Sequence, residues 1–146
     1  MNPRERVYVA LGSNEGDRSA YLARAREALA KIPLTTILAA SSVEETDPVG
    51  PEGQGKYLNQ MVLVETSLDP GRFLKLLHKI EDENGRARAE RWGPRTLDLD
   101  IVRFGTRRLR DPDLRIPHAE LPNRAWWQRE IEELDVLVPI KKDEES

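Results

Sequence analysis

Two aspartates stand at alternate positions in "RWGPRTLDLDI", residues 91–101: Asp98 and Asp100. On an extended strand, residues i and i+2 face the same side, about 6.5–7 Å apart. Both carboxylates then point together, while Leu97, Leu99 and Ile101 point to the core. Two acids side by side repel and cost stability unless something offsets them. A hard cation removes that cost. Mg²⁺ takes oxygen ligands, often one or two carboxylates together with phosphate oxygens. Aspartates at this spacing can also hold two ions about 3.5–4 Å apart, as phosphoryl chemistry uses. The plainer reading is a solvated strand face with arginines as counter-charges. Arg86, Arg88, Arg91 and Arg95 crowd the segment that feeds this strand, with only Glu90 opposing them. Guanidinium groups bind phosphate oxygens bidentately. Trp92, Gly93 and Pro94 add a stacking surface, a flexible position and a rigid one. The stretch reads as a phosphate-and-metal site, a cationic lid joined to an acidic strand. In such a site catalysis is mostly positioning and charge stabilisation.

Other candidates are weaker. His118, in "RIPHAELPNR", lies near Arg124 and can donate to a phosphate, although a lone histidine is more often a local hydrogen-bonding residue. His78 falls beside the buried stripe of a helix, and the two histidines have no zinc spacing. "GPEGQGKY", residues 50–57, imitates a phosphate loop, but Tyr57 replaces the small hydroxyl that holds Mg²⁺. The next segment also alternates like a strand, where a phosphate loop leads into a helix.

The elements that must position these residues follow from periodicity. Residues 6–11 alternate Val7, Val9 and Leu11 as a strand. Asp17 caps a helix over about 18–32, ended by Pro33. Residues 35–46 read as one strand and 57–67 as another, with Leu58, Met61, Leu63 and Val64 buried. Asp69 and Pro70 start a second helix whose stripe is Phe73, Leu74, Leu77 and Ile80, ended by Gly85. "LDLDIVRF" alternates strictly as a strand, and a short last helix is expected from about Ala125 to Leu134. The order β-α-β-β-α-β is the split βαβ pattern of an α+β, ferredoxin-like sandwich, with helices on one face of a mainly antiparallel sheet. Two long loops, 47–56 and 85–96, are of the kind that carries function.

Composition narrows the class. The 146 residues suit a single domain, 1–146, with an acidic tail from about 135. Net charge is −3 and there is no cysteine, which excludes disulfide frameworks, thiolate metal sites and thiol nucleophiles. No run is long enough to span a membrane and no cleavage pattern follows the first residues, so a cytoplasmic protein is expected. A ferredoxin-like sheet with basic loops could bind single-stranded RNA, but aspartates on the key strand would repel a nucleic-acid backbone.

"RWGPRTLDLDI" resembles the signature of the 6-hydroxymethyl-7,8-dihydropterin pyrophosphokinase family of folate biosynthesis. "VALGSNEGD", "TDPVGPEGQGKYLNQMVLVET" and "IPHAELPNR" resemble it too, in the same order, across about residues 6–126. The resemblance implies the ferredoxin-like fold and transfer of the β,γ-pyrophosphate of ATP to the pterin hydroxymethyl group, releasing AMP. It implies that Asp98 and Asp100 bind two Mg²⁺ ions and that Arg86 and Arg95 are catalytic. His78, Glu81, Arg88, Arg91, Trp92, Ile101, His118 and Arg124 would contact ATP. Tyr57 and Trp126 would sandwich the pterin; Thr46, Val49 and Asn59 would read its polar edge, and Asn14 would shape the pocket floor. ATP and the pterin are the partners so implied, with no nucleic acid, no membrane and a monomeric chain. A non-catalytic relative is the alternative, which the intact aspartates and arginines oppose. Asp47 stands where the family usually has proline or a small apolar residue, Trp126 where phenylalanine is frequent, and His78 where glutamine is common.

Overall fold

The computed structural model describes residues 3–48, 55–85 and 96–140. In chain order they form β1 (Glu5–Ser13), α1 (Arg18–Ala30), β2 (Thr35–Ala40), β3 (Glu44–Thr46), β4 (Tyr57–Thr66), α2 (Pro70–Glu83), β5 (Asp98–Phe104), β6 (Leu109–Arg110), β7 (Arg115–Ile116) and, after a single 3₁₀ turn, α3 (Ala125–Leu137). The main sheet runs β2-β4-β1-β5, with β3 also paired to β4, and every pairing is antiparallel. This is the expected ferredoxin-like α+β sandwich. Among the described residues no helix is long and apolar enough to cross a membrane.

Local chemistry starts the helices where expected. The Asp17 carboxylate accepts from the Ala20 N–H at 3.1 Å, and Asp69 accepts from the Arg72 N–H at 2.9 Å ahead of Pro70. Gly85, at φ +76°, closes α2 in the left-handed conformation that costs glycine nothing.

Burial divides into two clusters. Val7, Val9 and Leu11 of β1, Val62 and Val64 of β4, and Leu99, Ile101 and Phe104 of β5 pack under α1 and α2. Phe73 meets Phe104 edge to face at 6.0 Å. The second cluster lies on the opposite face: Tyr8, Ala10, Met61, Leu63 and Val102 against Trp127, Ile131 and Leu134 of α3. The last helix is therefore a second layer, three residues longer than expected, and β1 and β4 are buried on both faces. It also reaches into the segment read as an acidic tail. Asp135 there accepts a short hydrogen bond from the Tyr8 hydroxyl. Burial, and then Asp135, hold the Tyr8 proton far above the usual phenol range.

The stretch expected as one strand over 35–46 is two. Ser41 breaks it: its backbone N–H donates to the Met61 carbonyl at 2.8 Å, and its Oγ accepts from the Met61 N–H at 2.9 Å. The hydroxyl thus replaces a ladder carbonyl, which lets β3 restart at Glu44 nearer the site.

Candidate active site

Asp98 and Asp100 do share a face, and the register says which. Asp100 opposes Ala10, and Asp98 opposes Gly12, so both point to the α3 side of the sheet. The alternation of "LDLDIVRF" is not strict, however. Tyr8 pairs with Arg103 and Val9 with Ile101, leaving Val102 as an extra, bulged residue. Without that bulge Phe104 would share the aspartates' face; with it, Phe104 joins Leu99 and Ile101 in the main core.

The bulge also delivers His118. Its N–H donates to the Val102 carbonyl at 2.9 Å. Its Nδ1 accepts from the Glu120 N–H at 3.0 Å, so in the neutral ring Nε2 carries the proton. Nε2 lies 3.6 Å from Asp100 Oδ1. A cavity of about 280 Å³ opens here, lined by His78, Glu81, Asp98, Asp100, Ile101 and His118. Six of the residues expected to meet nucleotide or metal thus converge on one space.

Three further lining residues, Asp113, Leu114 and Arg115, went unremarked in the sequence because "DPDLRIPH" reads only as proline-punctuated irregular chain. An arginine three residues before His118 was the available signal. Trp127 was missed too. It is buried, stands edge to face with His118 at 5.0 Å, and carries the Arg124 guanidinium 4.4 Å above its ring. One indole therefore seats two of the side chains expected to meet ATP, His118 and Arg124.

Glu81 lines the cavity while almost fully buried, at 1 % exposure. Its Oε2 accepts from the Leu99 N–H at 2.8 Å, between the two aspartates. β5 is an edge strand, so this carboxylate satisfies a backbone donor the sheet leaves open. Glu81→Leu is expected to destabilise the chain by about 1–3 kcal/mol, the cost of orphaning a buried backbone donor. Urea denaturation checks this; an unchanged midpoint would show that the bond carries no weight.

The other side of the face holds a second polar group. Gly12 pairs with Asp98 on one side and with Asn59 on the other. Asn59 Nδ2 donates to Thr46 Oγ1 at 2.6 Å, which turns its Oδ1 toward Gly12. The Tyr57 ring borders the same glycine. Asn14 is buried, and its Nδ2 donates to the Gly55 carbonyl at 3.4 Å. Trp126 opens α3 on this side of the sheet, with Arg124 6.0 Å from its ring centre. Asp47 faces solvent, with Lys56 Nζ at 3.8 Å. Val49, Arg86, Arg88, Arg91, Trp92 and Arg95 lie outside the described residues.

The donor set suits a hard divalent ion shared with a ligand. Two half-buried carboxylates open onto the cavity. Among the described residues no group of three or more His, Cys, Asp or Glu side chains could hold a metal unaided. The remaining coordination positions of Mg²⁺ at Asp98 and Asp100 would fall to phosphate oxygens and water.

Comparison with known proteins identifies the family. The model of the family described as 7,8-dihydro-6-hydroxymethylpterin-pyrophosphokinase (HPPK) matches residues 8–136. A Bacillus subtilis protein named 2-amino-4-hydroxy-6-hydroxymethyldihydropteridine pyrophosphokinase is 45% identical over 120 residues, covering 82% of this chain and 72% of its own length. Proteins of the same name from Pseudomonas aeruginosa and Haemophilus influenzae are 43% and 40% identical, covering 84% and 92% of this chain and 75% and 78% of their own lengths. With the acid pair, the histidine and the asparagine–threonine couple on one sheet face, and a family match spanning nearly all the described elements, the chain belongs to the 7,8-dihydro-6-hydroxymethylpterin-pyrophosphokinase family.

Proposed function

We propose that the chain transfers the β,γ-pyrophosphate of ATP to the hydroxymethyl oxygen of 6-hydroxymethyl-7,8-dihydropterin, releasing AMP, and that it needs Mg²⁺ to do so. The observation that carries this reading is the row Asn59–Gly12–Asp98 across three adjacent strands. Neighbouring strands lie about 4.8 Å apart, so the amide end and the acid end stand about 10 Å apart on one face. That span suits a flat heterocycle at the amide end with its side arm directed to phosphates at the acid end.

Each residue then has a task. Asn59 and Thr46, already bonded to each other, present fixed polar atoms to the pterin edge, joined by the backbone near Val49. Tyr57 and Trp126 supply aromatic faces for stacking. Asn14 supports the pocket from beneath through the Gly55 carbonyl. His118 offers an Nε2–H beside Asp100, placed to bond a phosphate oxygen. Arg124 brings charge from above Trp127, and His78, Glu81 and Ile101 wall the nucleotide side. Arg86 and Arg95, supported by Arg88, Arg91 and Trp92, would meet the phosphates as negative charge shifts toward the leaving AMP. Asp98 and Asp100 would hold Mg²⁺, which when bound would supply charge neutralisation on the phosphates and favour loss of the acceptor hydroxyl's proton. The hydroxyl oxygen forms the new bond to the β-phosphorus, the bond from that phosphorus to the α-phosphate bridge oxygen breaks, and the hydroxyl proton leaves to solvent.

One mixture tests the proposal: the chain, ATP, Mg²⁺ and the reduced hydroxymethylpterin, with the nucleotides separated afterwards. AMP should form in step with pterin diphosphate. ADP as the product would make it a simple kinase, and no turnover would leave a binding protein.

A further inference from the structure

Behind Trp126 and Thr46 lies a pair of carboxyl groups that the mechanism does not use. Glu130 of α3 is 2 % exposed, and both its carboxyl oxygens are buried without a hydrogen-bond donor. Glu44 of β3, a partly exposed side chain, buries its Oε2, also without a donor, within hydrogen-bonding reach of Glu130. Its Oε1 is taken by Arg129, whose Nη2 lies 3.1 Å away. Two carboxylates cannot bond each other, because both only accept. Buried together and ionised they would repel, in a site with too little water to screen them. One proton resolves all of this: Glu130 becomes a donor and Glu44 Oε2 its acceptor.

We propose that Glu130 is a positioning residue whose proton, bonded to Glu44, latches the first turns of α3 onto β3. The two elements carry opposite walls of the proposed pterin site. Trp126 lies one helical turn before Glu130, on the same helix face, and Thr46 lies two residues after Glu44 on β3. A second link, from the Ser42 N–H to Glu133 Oε2 at 2.7 Å, anchors the chain just ahead of β3 to the same helix.

The charged groups acting on Glu130 are Glu44 from β3 and Arg129 and Glu133 from its own helix. β2 and β4 contribute apolar side chains to the cluster beneath α3, among them Leu38 and Met61. Burial foremost, and then the bond to Glu44 and its charge, push the Glu130 carboxyl up to about 9, with Glu133 adding slightly and Arg129 opposing. The folded chain therefore keeps a proton that the unfolded chain releases from about pH 4.5 upward. The stabilisation so gained is fully present below the unfolded pKa and is lost as pH rises through about 9.

The test compares wild type with Glu130→Gln, which keeps the shape and a permanent donor, and with Glu44→Gln, which gives an ionised Glu130 an N–H to accept from. Melting temperatures of the full chain are measured from pH 5 to 9.5. The gap between Glu130→Gln and wild type should widen by roughly 5 °C or more between pH 5 and pH 8.5, and Glu44→Gln should flatten the wild-type slope. Parallel profiles would overturn the latch. The effect on the pterin rests on the function proposed above, and its dissociation constant is read by tryptophan fluorescence. At pH 9.5 a substantial share of Glu130 would be ionised, so wild type should bind the pterin a few-fold more weakly than Glu130→Gln, with equal affinities at pH 7 and no such difference for ATP. Equal pterin affinities at pH 9.5, with the melting profiles diverging, would overturn the positioning role. If neither protein binds pterin at pH 7, the function fails and the positioning role with it, while the melting profiles still decide the latch.

Discussion

Asp98→Ala is expected to lower turnover by about 10³-fold or more at saturating substrates and Mg²⁺, and to leave the fold intact. The fold should survive because Asp98 is half-exposed at the start of β5 and sits one pleat from a like charge. The melting temperature should therefore stay within a few degrees of wild type, about what a surface substitution costs. Turnover should collapse because the pair offers the only two carboxylates of the acid strand to the cavity, and no third metal-binding side chain joins them among the described residues. A site that relies on charge neutralisation loses about 4 kcal/mol of transition-state stabilisation for each 10³-fold in rate. Asp98→Asn, which keeps the shape but not the charge, should be nearly as impaired. Raising Mg²⁺ should recover only part of the loss in either variant. Activity within tenfold of wild type, at any Mg²⁺ concentration, would remove the metal role from Asp98.

The acid strand was legible because a strand's period of two shows in the letters themselves: Asp98 and Asp100 against Leu97, Leu99 and Ile101. Helix starts were legible for a similar reason, since Asp17 and Asp69 act within three residues of where they stand. What stayed hidden depends on partners distant in the chain. The Val102 bulge exists only relative to β1, and no local pattern in "DLDIVRF" marks it. Ser41 breaks β2 from β3 by bonding Met61, twenty residues on. The second tryptophan of "AWWQ" looks like its neighbour in sequence. Only the packing of α3 across the far face gives Trp127 its place beneath His118 and Arg124. Glu130 is the sharpest case, because an acid in an acidic segment reads as solvated surface, and only the sheet that α3 covers makes it an interior group.

Gly12→Val is expected to lower kcat/KM for the pterin by about 100-fold while the chain stays folded. The backbone does not require glycine here. Among the described residues the glycines with positive φ are Gly16, Gly85 and Gly105, and Gly12 is not among them. Nor does core packing require it. A Cβ built on Gly12 would meet Asn59 Oδ1 and the Tyr57 ring at 3.5 Å, which is ordinary contact. Gly12→Ala should therefore fold as well as wild type, and gain up to about 1 kcal/mol from a less free unfolded chain. What the glycine supplies is an open trough between Asn59 and Asp98, the two ends of the proposed reaction path. A methyl group narrows that trough, and the branched carbons of valine fill it with the β-branched shape a strand accepts best. The acceptor oxygen then cannot reach in-line distance of the β-phosphorus, and misplacement of about 1 Å is enough to cost 100-fold. The graded series should separate space from stability, with melting temperatures level or rising from glycine to alanine while kcat/KM falls at each step. Full activity in the valine variant, with the fold retained, would mean that the pterin arm does not cross Gly12 and that the two ends of the row serve different ligands.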